Sequence, residues 1–230
     1  MMLKAVIFDF DGVVSDSEML HYKALNEIFA KYGVDVPKKV HWQKYLGYGD
    51  IENIEAVSRD YDMGLTDEQV VEIARQKTEV FDELVKTETT IIDGVAEFVQ
   101  MLTENGIPLA ICSGSTASDI KLMLDGCEFA NAFRAIITAD DVSKGKPDPE
   151  GFLLALKKLN ETIGGDRILP QECVVIEDSG WGLATAKTAG MHTVAVTNTY
   201  PAEKLANLAD IIVGKLNELT MDDLGKLCRP

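Results

Sequence analysis

Two aspartates, Asp9 and Asp11, follow the apolar run in AVIFDFDGVVSDSE (residues 5–18), and Gly12 comes directly after them. Carboxylates placed side by side at the mouth of a buried strand repel each other and lose hydration, so something must compensate them. Comparable residues follow other apolar runs. Ser113, Gly114 and Ser115 follow IPLAIC, and Glu177, Asp178 and Ser179 follow CVVI. Lys144 and Lys146 lie in KGKPDP, between the third and fourth such runs. Ligands of an open parallel sheet gather at the carboxyl ends of its strands. That edge therefore collects four carboxylates, two hydroxyls and a lysine. Each piece alone has an ordinary explanation. A DxDG can be a turn, a serine after a strand can be a loop or cap residue, and Asp148 with Pro149 reads as a helix start. Chance turns do not account for all four in this order, each at the same end of a different strand. Asp9, Asp11, Glu177 and Asp178 face a single offsetting charge on Lys146, so the cluster needs a divalent cation or protonated acids. An all-oxygen, carboxylate-rich site suits Mg²⁺, which keeps waters and shares ligands with phosphate groups.

The elements that must position these residues are short and β-branched. Strands are expected at 4–8, 107–112, 134–138, 172–177, 192–196 and 210–213. Each is near-continuously apolar, as expected of parallel strands covered on both faces. Helices are expected between them at 94–106, 148–161 and 180–190; the first carries Val95, Phe98, Val99 and Leu102 on one face. Strands alternating with helices predict a doubly wound, Rossmann-like three-layer α/β core with a mainly parallel sheet. From Asp16 to Glu88 no strand is evident. Leu20, Ala24, Leu25, Ile28, Phe29 and Tyr32 form a helical stripe, and further helices are expected at 38–46, 50–60 and 66–87, the last capped by Thr66. The expected organisation is a core domain of 1–15 and 89–230 interrupted by an all-α cap domain of 16–88, with connections near 14–17 and 88–93. Gly47 and Gly49 fall in a loop of that insertion, and Trp181 is expected to pack at a helix start.

Composition narrows the partners. The chain has 230 residues, 46% apolar and 26% charged, which is ordinary for a folded globular protein rather than a disordered one. Its formal charge of −16 makes nucleic acid and anionic membrane poor partners, and an anionic small substrate needs local cations to collect it. Cys112, Cys127, Cys173 and Cys228 form no CxxC pair, and His21, His41 and His192 show no zinc spacing, so a zinc site is not expected. Free cysteines fit a reducing cytosol. The amino terminus does not read as a signal peptide, and no segment reaches the roughly 18 apolar residues of a membrane span. A cytoplasmic protein is expected.

The segments DFDGVVSD, CSGS, KGKPDP and VIEDSGWGLATAKTAGM resemble the four ordered motifs of the haloacid dehalogenase-like hydrolase superfamily. The likeness covers residues 4 to about 213 and is greatest to the branch with a helical cap between the first two motifs, which includes β-phosphoglucomutase-like proteins and sugar-phosphate phosphatases. The resemblance implies that Asp9 is a nucleophile toward phosphorus and forms an aspartyl phosphate. It implies that Asp11 is the general acid and then the base, with its carbonyl on Mg²⁺. Ser113 would hydrogen-bond the transferring phosphoryl group, with Gly114 and Ser115 beside it, and Lys146 would neutralise charge. Asp9, Asp11, Glu177 and Asp178 would form the magnesium site. In the cap, His21, Gly47 and Lys77 would contact substrate. Asp11 in place of a neutral residue disfavours dehalogenation. β-Phosphoglucomutase holds a second phosphate with a cap arginine and a Lys-Asn pair; Asp50, Thr116 and Ala117 stand near those places here, and Asp50 is expected to repel a distal phosphate. The implied protein is a Mg²⁺-dependent phosphatase of a small phosphorylated metabolite such as a sugar or sugar-acid phosphate, with the cap closing over the site. The alternatives are a β-phosphoglucomutase-like phosphomutase and a catalytically idle protein-binding member. A monomer or weak oligomer suffices.

Overall fold

The computed structural model describes residues 2–46, 48–88 and 91–229. The chain forms two compact units, one of Met1–Asp16 with Ile91–Pro230 and the other of Ser17–Thr90.

The first unit is built on a parallel six-stranded sheet: β1 (Ala5–Phe8), β2 (Leu109–Cys112), β3 (Phe133–Ile137), β4 (Cys173–Glu177), β5 (His192–Val196) and β6 (Ile211–Val213). Its order is β3-β2-β1-β4-β5-β6, and every pairing is parallel. The helices around it are α5 (Val95–Glu104), α6 (Ala117–Leu124), α7 (Glu150–Thr162), α8 (Gly180–Thr188), α9 (Ala202–Leu205) and α10 (Met221–Leu227). β1 lies at the centre, and the direction of strand order reverses there, which places the crevice of a doubly wound fold beside its carboxyl end.

Alternation along β1 divides the core into two layers. Ala5 and Ile7 face α7 and α8, joining Phe152, Ala155, Leu156, Leu159, Ala186 and Ala189 in one apolar cluster. Phe8 faces the other way and meets Phe98 of α5 edge-on at 5.8 Å and Phe133 of β3 at 5.6 Å. The three-layer Rossmann-like reading of the sequence therefore holds. Coverage on both faces does not hold for every strand. Arg134 and Ile136 of β3 are exposed, and Ile211, Ile212 and Val213 of β6 are only half-buried, because these two strands form the edges of the sheet. α6, α9 and α10 were not among the helices expected from periodicity; α6 is one short amphipathic element of eight residues, capped by the Thr116 hydroxyl accepting from the Asp119 N–H at 3.2 Å.

The second unit contains α1 (Glu18–Ala30), α2 (Lys38–Lys44), α3 (Asp50–Asp60) and α4 (Asp67–Glu88), with no strand among its described residues. Leu25, Ile28, Phe29, Ile54, Val57, Val70 and Ile73 form its apolar centre. Tyr32, expected on the buried stripe of α1, is exposed, since α1 ends at Ala30 and the chain turns away. Thr66 caps α4 as expected: it accepts from the Gln69 N–H at 3.3 Å, while the Gln69 side chain accepts from the Thr66 N–H at 2.9 Å. No helix among the described residues is long and apolar enough to cross a membrane.

Phe98 is fully enclosed between α5 and β1. Phe98→Ala should cost about 3–5 kcal/mol through lost burial and a residual cavity. The check is a clearly lower urea midpoint; an unchanged midpoint would show that this layer does not hold the sheet.

Candidate active site

β1 ends at Phe8, and Asp9 still follows the strand: its N–H donates to the Ile176 carbonyl of β4 at 2.9 Å. The parallel register sets Phe8 beside Ile176, so the next residues, Asp9 and Glu177, emerge side by side. Lys146 reaches them from the loop before α7. Its Nζ donates to Asp9 Oδ1 at 2.7 Å and Glu177 Oε1 at 2.6 Å. Its ammonium also lies 4.9 Å above the Phe152 ring, which walls it from beneath. The peptide between Lys146 and Pro147 is cis. The helix start expected at Asp148 and Pro149 falls one residue later: Pro149 is the flanking residue, and the Asp148 carboxylate accepts from the Glu150 N–H at 3.0 Å.

Glu177 is held from its other side. Its Oε2 accepts from the Asp178 and Ser179 N–H groups at 3.0 Å each and from the Ser179 hydroxyl at 2.8 Å. Those amides open α8, where a carboxylate is favoured by the exposed N–H groups. Gly182 is required here, because a Cβ on it would lie 1.7 Å from Glu177 Oε1. Gly12, at φ +75°, faces a similar limit: a Cβ would lie 1.9 Å from Asp178 Oδ2.

Asp9, Glu177 and Asp178 are all buried, and each offers an oxygen within 4.8 Å of the others. Burial drives the Asp9 carboxyl well above its ordinary range; Lys146 opposes this, and Glu177, Asp178 and Asp11 add to it. Asp178 is pushed up to about 7, first by burial and then by Glu177, against hydrogen bonding from Thr199. For Lys146, burial would favour the neutral amine, but Asp9 and Glu177 outweigh it and hold the ammonium charged. One buried cation thus faces three buried acids. The donor set is all oxygen, its excess charge is negative, and Asp9 and Asp178 have carboxylate oxygens not used by Lys146. These residues fit a hard divalent cation such as Mg²⁺. Glu177 has less to give, since its Oε2 already accepts three hydrogen bonds and its Oε1 meets Lys146.

The Asp11 carboxylate does not join that cluster of side-chain oxygens. Its Oδ2 accepts from the Ser113 hydroxyl at 3.0 Å and the Ser115 hydroxyl at 2.7 Å. Ser113 is positioned by its N–H donating to the Ile137 carbonyl of β3, and its hydroxyl accepts from the Ser115 N–H at 2.9 Å. Gly114, between them, is exposed. Hydrogen bonds thus join Lys146, Asp9, Glu177 and Asp178 in one group and Asp11, Ser113 and Ser115 in a second, and the Asp11 charge acts on Asp9 and Asp178. Cys112, one residue from Ser113, has its thiol pushed up to about 12 by burial and is an inert packing residue.

His21 and Lys77 lie in the helical unit and contact each other: Lys77 Nζ is 2.8 Å from His21 Nδ1. Lys77 is buried, 4.6 Å over the Phe81 ring, and pairs with Asp50 at 2.9 Å. The ordinary reading of a lysine on a charged helix, a solvated side chain, fails for it. Asp50, expected to repel a distal phosphate, has its charge offset by Lys77. Thr116, which stands near the place of the mutase's basic pair, is the cap of α6. Gly47 lies outside the described residues. Trp181 packs near the start of α8, edge-on to Tyr200 at 5.8 Å. Sequence reading passed over Ser179 and Gly182 as site residues, although both lie in the segment after β4. It also passed over Asn198 and Thr199, which carry neither charge nor a glycine signal.

The chain is similar to the phosphorylated carbohydrates phosphatase of Thermotoga maritima, with 29% identity over 84% of each chain. It is also similar to the validoxylamine A 7′-phosphate phosphatase of Streptomyces hygroscopicus subsp. limoneus, 29% identical over 97% of this chain and 99% of the relative. The crystal structure of β-phosphoglucomutase from Clostridium difficile superposes with a TM-score of 0.83 at 26% identity, covering 99% of this chain and 97% of that one. A family model described as haloacid dehalogenase-like hydrolase matches residues 6–196, which contain every residue of both groups, and the chain belongs to that family.

Proposed function

We propose that the chain is a Mg²⁺-dependent phosphatase that hydrolyses a small phosphomonoester, of a sugar or sugar acid, through a phosphorylated Asp9. The chain is a hydrolase of the phosphoric monoester type, in keeping with its family and its phosphatase relatives. The observation that carries the finer reading is the buried contact of Asp9 with Lys146 at 2.7 Å beside Glu177 and Asp178. Phosphoryl transfer depends mainly on positioning and on neutralising charge at the equatorial oxygens. In this reading one oxygen of Asp9 attacks phosphorus in line while Lys146 steadies the other. Ser113 turns its hydroxyl from Asp11 to the transferring group. Asp11 hands a proton to the leaving oxygen, then takes one from the water that cleaves the aspartyl phosphate. Asp9 and Asp178, with the Asp11 carbonyl, would hold Mg²⁺, which supplies electrostatic stabilisation of the phosphoryl oxygens when bound.

Relatives include both phosphatases and a mutase, so the second phosphate decides between the two. A mutase must hold one, and the helical unit's buried cation is already engaged: Lys77 is satisfied by Asp50 and His21. That favours hydrolysis over mutation of the substrate. The acidic surface, with a net charge of −16, and the assembled catalytic group also count against nucleic-acid binding and against an idle protein-binding member.

Phosphate release from a panel of phosphorylated sugars should require Mg²⁺ and stop with EDTA. Asp9→Asn should reduce turnover at least about 10³-fold while the chain still folds, as circular dichroism would check; near wild-type turnover would refute the nucleophile. With β-glucose 1-phosphate, inorganic phosphate should appear faster than glucose 6-phosphate, and the reverse order would establish a mutase. Stability offers a separate check. The Asp178 carboxyl is raised from 3.8 to about 7, so its contribution is complete below pH 4 and is lost as pH rises through 7. Metal-free protein should lose thermal stability from pH 5 to 8, and Mg²⁺ should restore more of it at pH 8 than at pH 5. An equal response to Mg²⁺ at both values would count against Asp178 as a ligand.

A further inference from the structure

The loop after β5 lies beside the site without supplying any acid or base to it. In the register of β4 and β5, Glu177 sits beside Ala195. The chain leaving β5 as Thr197, Asn198 and Thr199 therefore runs alongside the segment that leaves β4 with Asp178. Two of its side chains turn to the site. Asn198 Nδ2 donates to the Gly12 carbonyl at 2.7 Å, across 186 residues of sequence. The Thr199 hydroxyl stands beside the Asp178 carboxylate, both of them close to Gly12, and holds that carboxyl down against the larger effect of burial. Gly12 lies between them: a Cβ there would be 2.7 Å from Thr199 Oγ1 and 1.9 Å from Asp178 Oδ2. The loop thus grips both halves of the acidic cluster, the turn that follows Asp9 and Asp11 and the carboxylate of Asp178.

We propose that Asn198 and Thr199 are positioning residues for the divalent cation, fixing the Gly12 turn and the Asp178 carboxylate in the arrangement that binds it. The inference rests on the magnesium reading above. A carboxylate with a free torsion loses rotational freedom when it takes up a cation; one already held by a hydroxyl does not. Thr199 limits Asp178 in this way, and its β-branched side chain has few rotamers of its own. Asn198 does the same for the backbone turn, where the Gly12 N–H also donates to the Ser15 carbonyl at 2.8 Å. Neither residue touches the reacting phosphoryl group in this account. Both act through their neighbours, so their effect belongs on cation affinity and not on the chemistry once the site is loaded.

The test is direct Mn²⁺ binding to the full chain, followed by electron paramagnetic resonance of free Mn²⁺ in the absence of substrate. Thr199→Val keeps the side-chain shape and removes the hydroxyl; Thr199→Ser keeps the hydroxyl. The valine variant should raise the Mn²⁺ dissociation constant about tenfold, and the serine variant should stay within about twofold of the parent, the gap being the one hydrogen bond the hydroxyl supplies. Asn198→Ala, on an exposed side chain, should weaken binding severalfold and gives the readout even if the valine variant folds poorly. At saturating Mg²⁺ all three should return close to the parent kcat. Parent-like affinity in both Thr199→Val and Asn198→Ala overturns the inference. So does a serine variant as weak as the valine one, which would mark packing and not the hydroxyl. A parent chain that binds no Mn²⁺ overturns the magnesium reading and this inference together, whereas binding that is indifferent to Thr199 and Asn198 removes this inference alone.

Discussion

The site depends on one buried ammonium standing between two buried carboxylates. Lys146 touches Asp9 and Glu177 at once, and neither acid could sit at the centre of a six-stranded sheet without it. Removing a charge from such a group leaves its partner desolvated, which costs far more than a surface pair. The ammonium is itself kept charged only by those carboxylates, against the effect of its own burial. Dependence is therefore mutual, and the loop that carries Lys146, the strand end that carries Asp9 and the helix start that carries Glu177 must form together.

Around that group the protein spends backbone rather than side chains. Amides at the start of α8 satisfy Glu177, and the two glycines that approach the acids, Gly12 and Gly182, do so because any Cβ would overlap a carboxylate. Charges held by fixed amides need no reorganisation when a substrate arrives. Asp11 is arranged differently. Its partners are the hydroxyls of Ser113 and Ser115, which rotate and can exchange one acceptor for another.

What could be read from the sequence was whatever lies at strand ends. Asp9, Ser113, Lys146, Glu177 and Asp178 announce themselves because each follows an apolar run or precedes a proline-marked helix start, and a parallel sheet brings such ends to one edge. Strand order is not local information, so the exposed side of β3 could not be told from its apolar sequence: only its edge position explains Arg134 and Ile136. The burial of Lys77 was hidden for a related reason. On its own helix it sits among charges, and the residues that enclose it, Asp50, His21 and Phe81, mostly come from elsewhere in the chain. Asn198 and Thr199 carried no signal at all, being neutral, common loop residues whose meaning lies in the side-by-side register of β4 and β5.

The central place of β1 also bears on synthesis of the chain. The earliest of these six strands to be synthesised pairs on one side with β2 and on the other with β4, which begins only at Cys173. At roughly 5–20 residues per second, β1 waits on the order of ten seconds or more with an apolar edge uncovered. Unpaired edges of that kind template association with other chains. The helical unit, whose residues follow β1 directly, has its own apolar centre, and every residue of that centre is synthesised within that interval. The inserted position of that unit thus has a temporal meaning: a nascent chain has an early folded body to hold in solution while the strand carrying its future nucleophile awaits its partner.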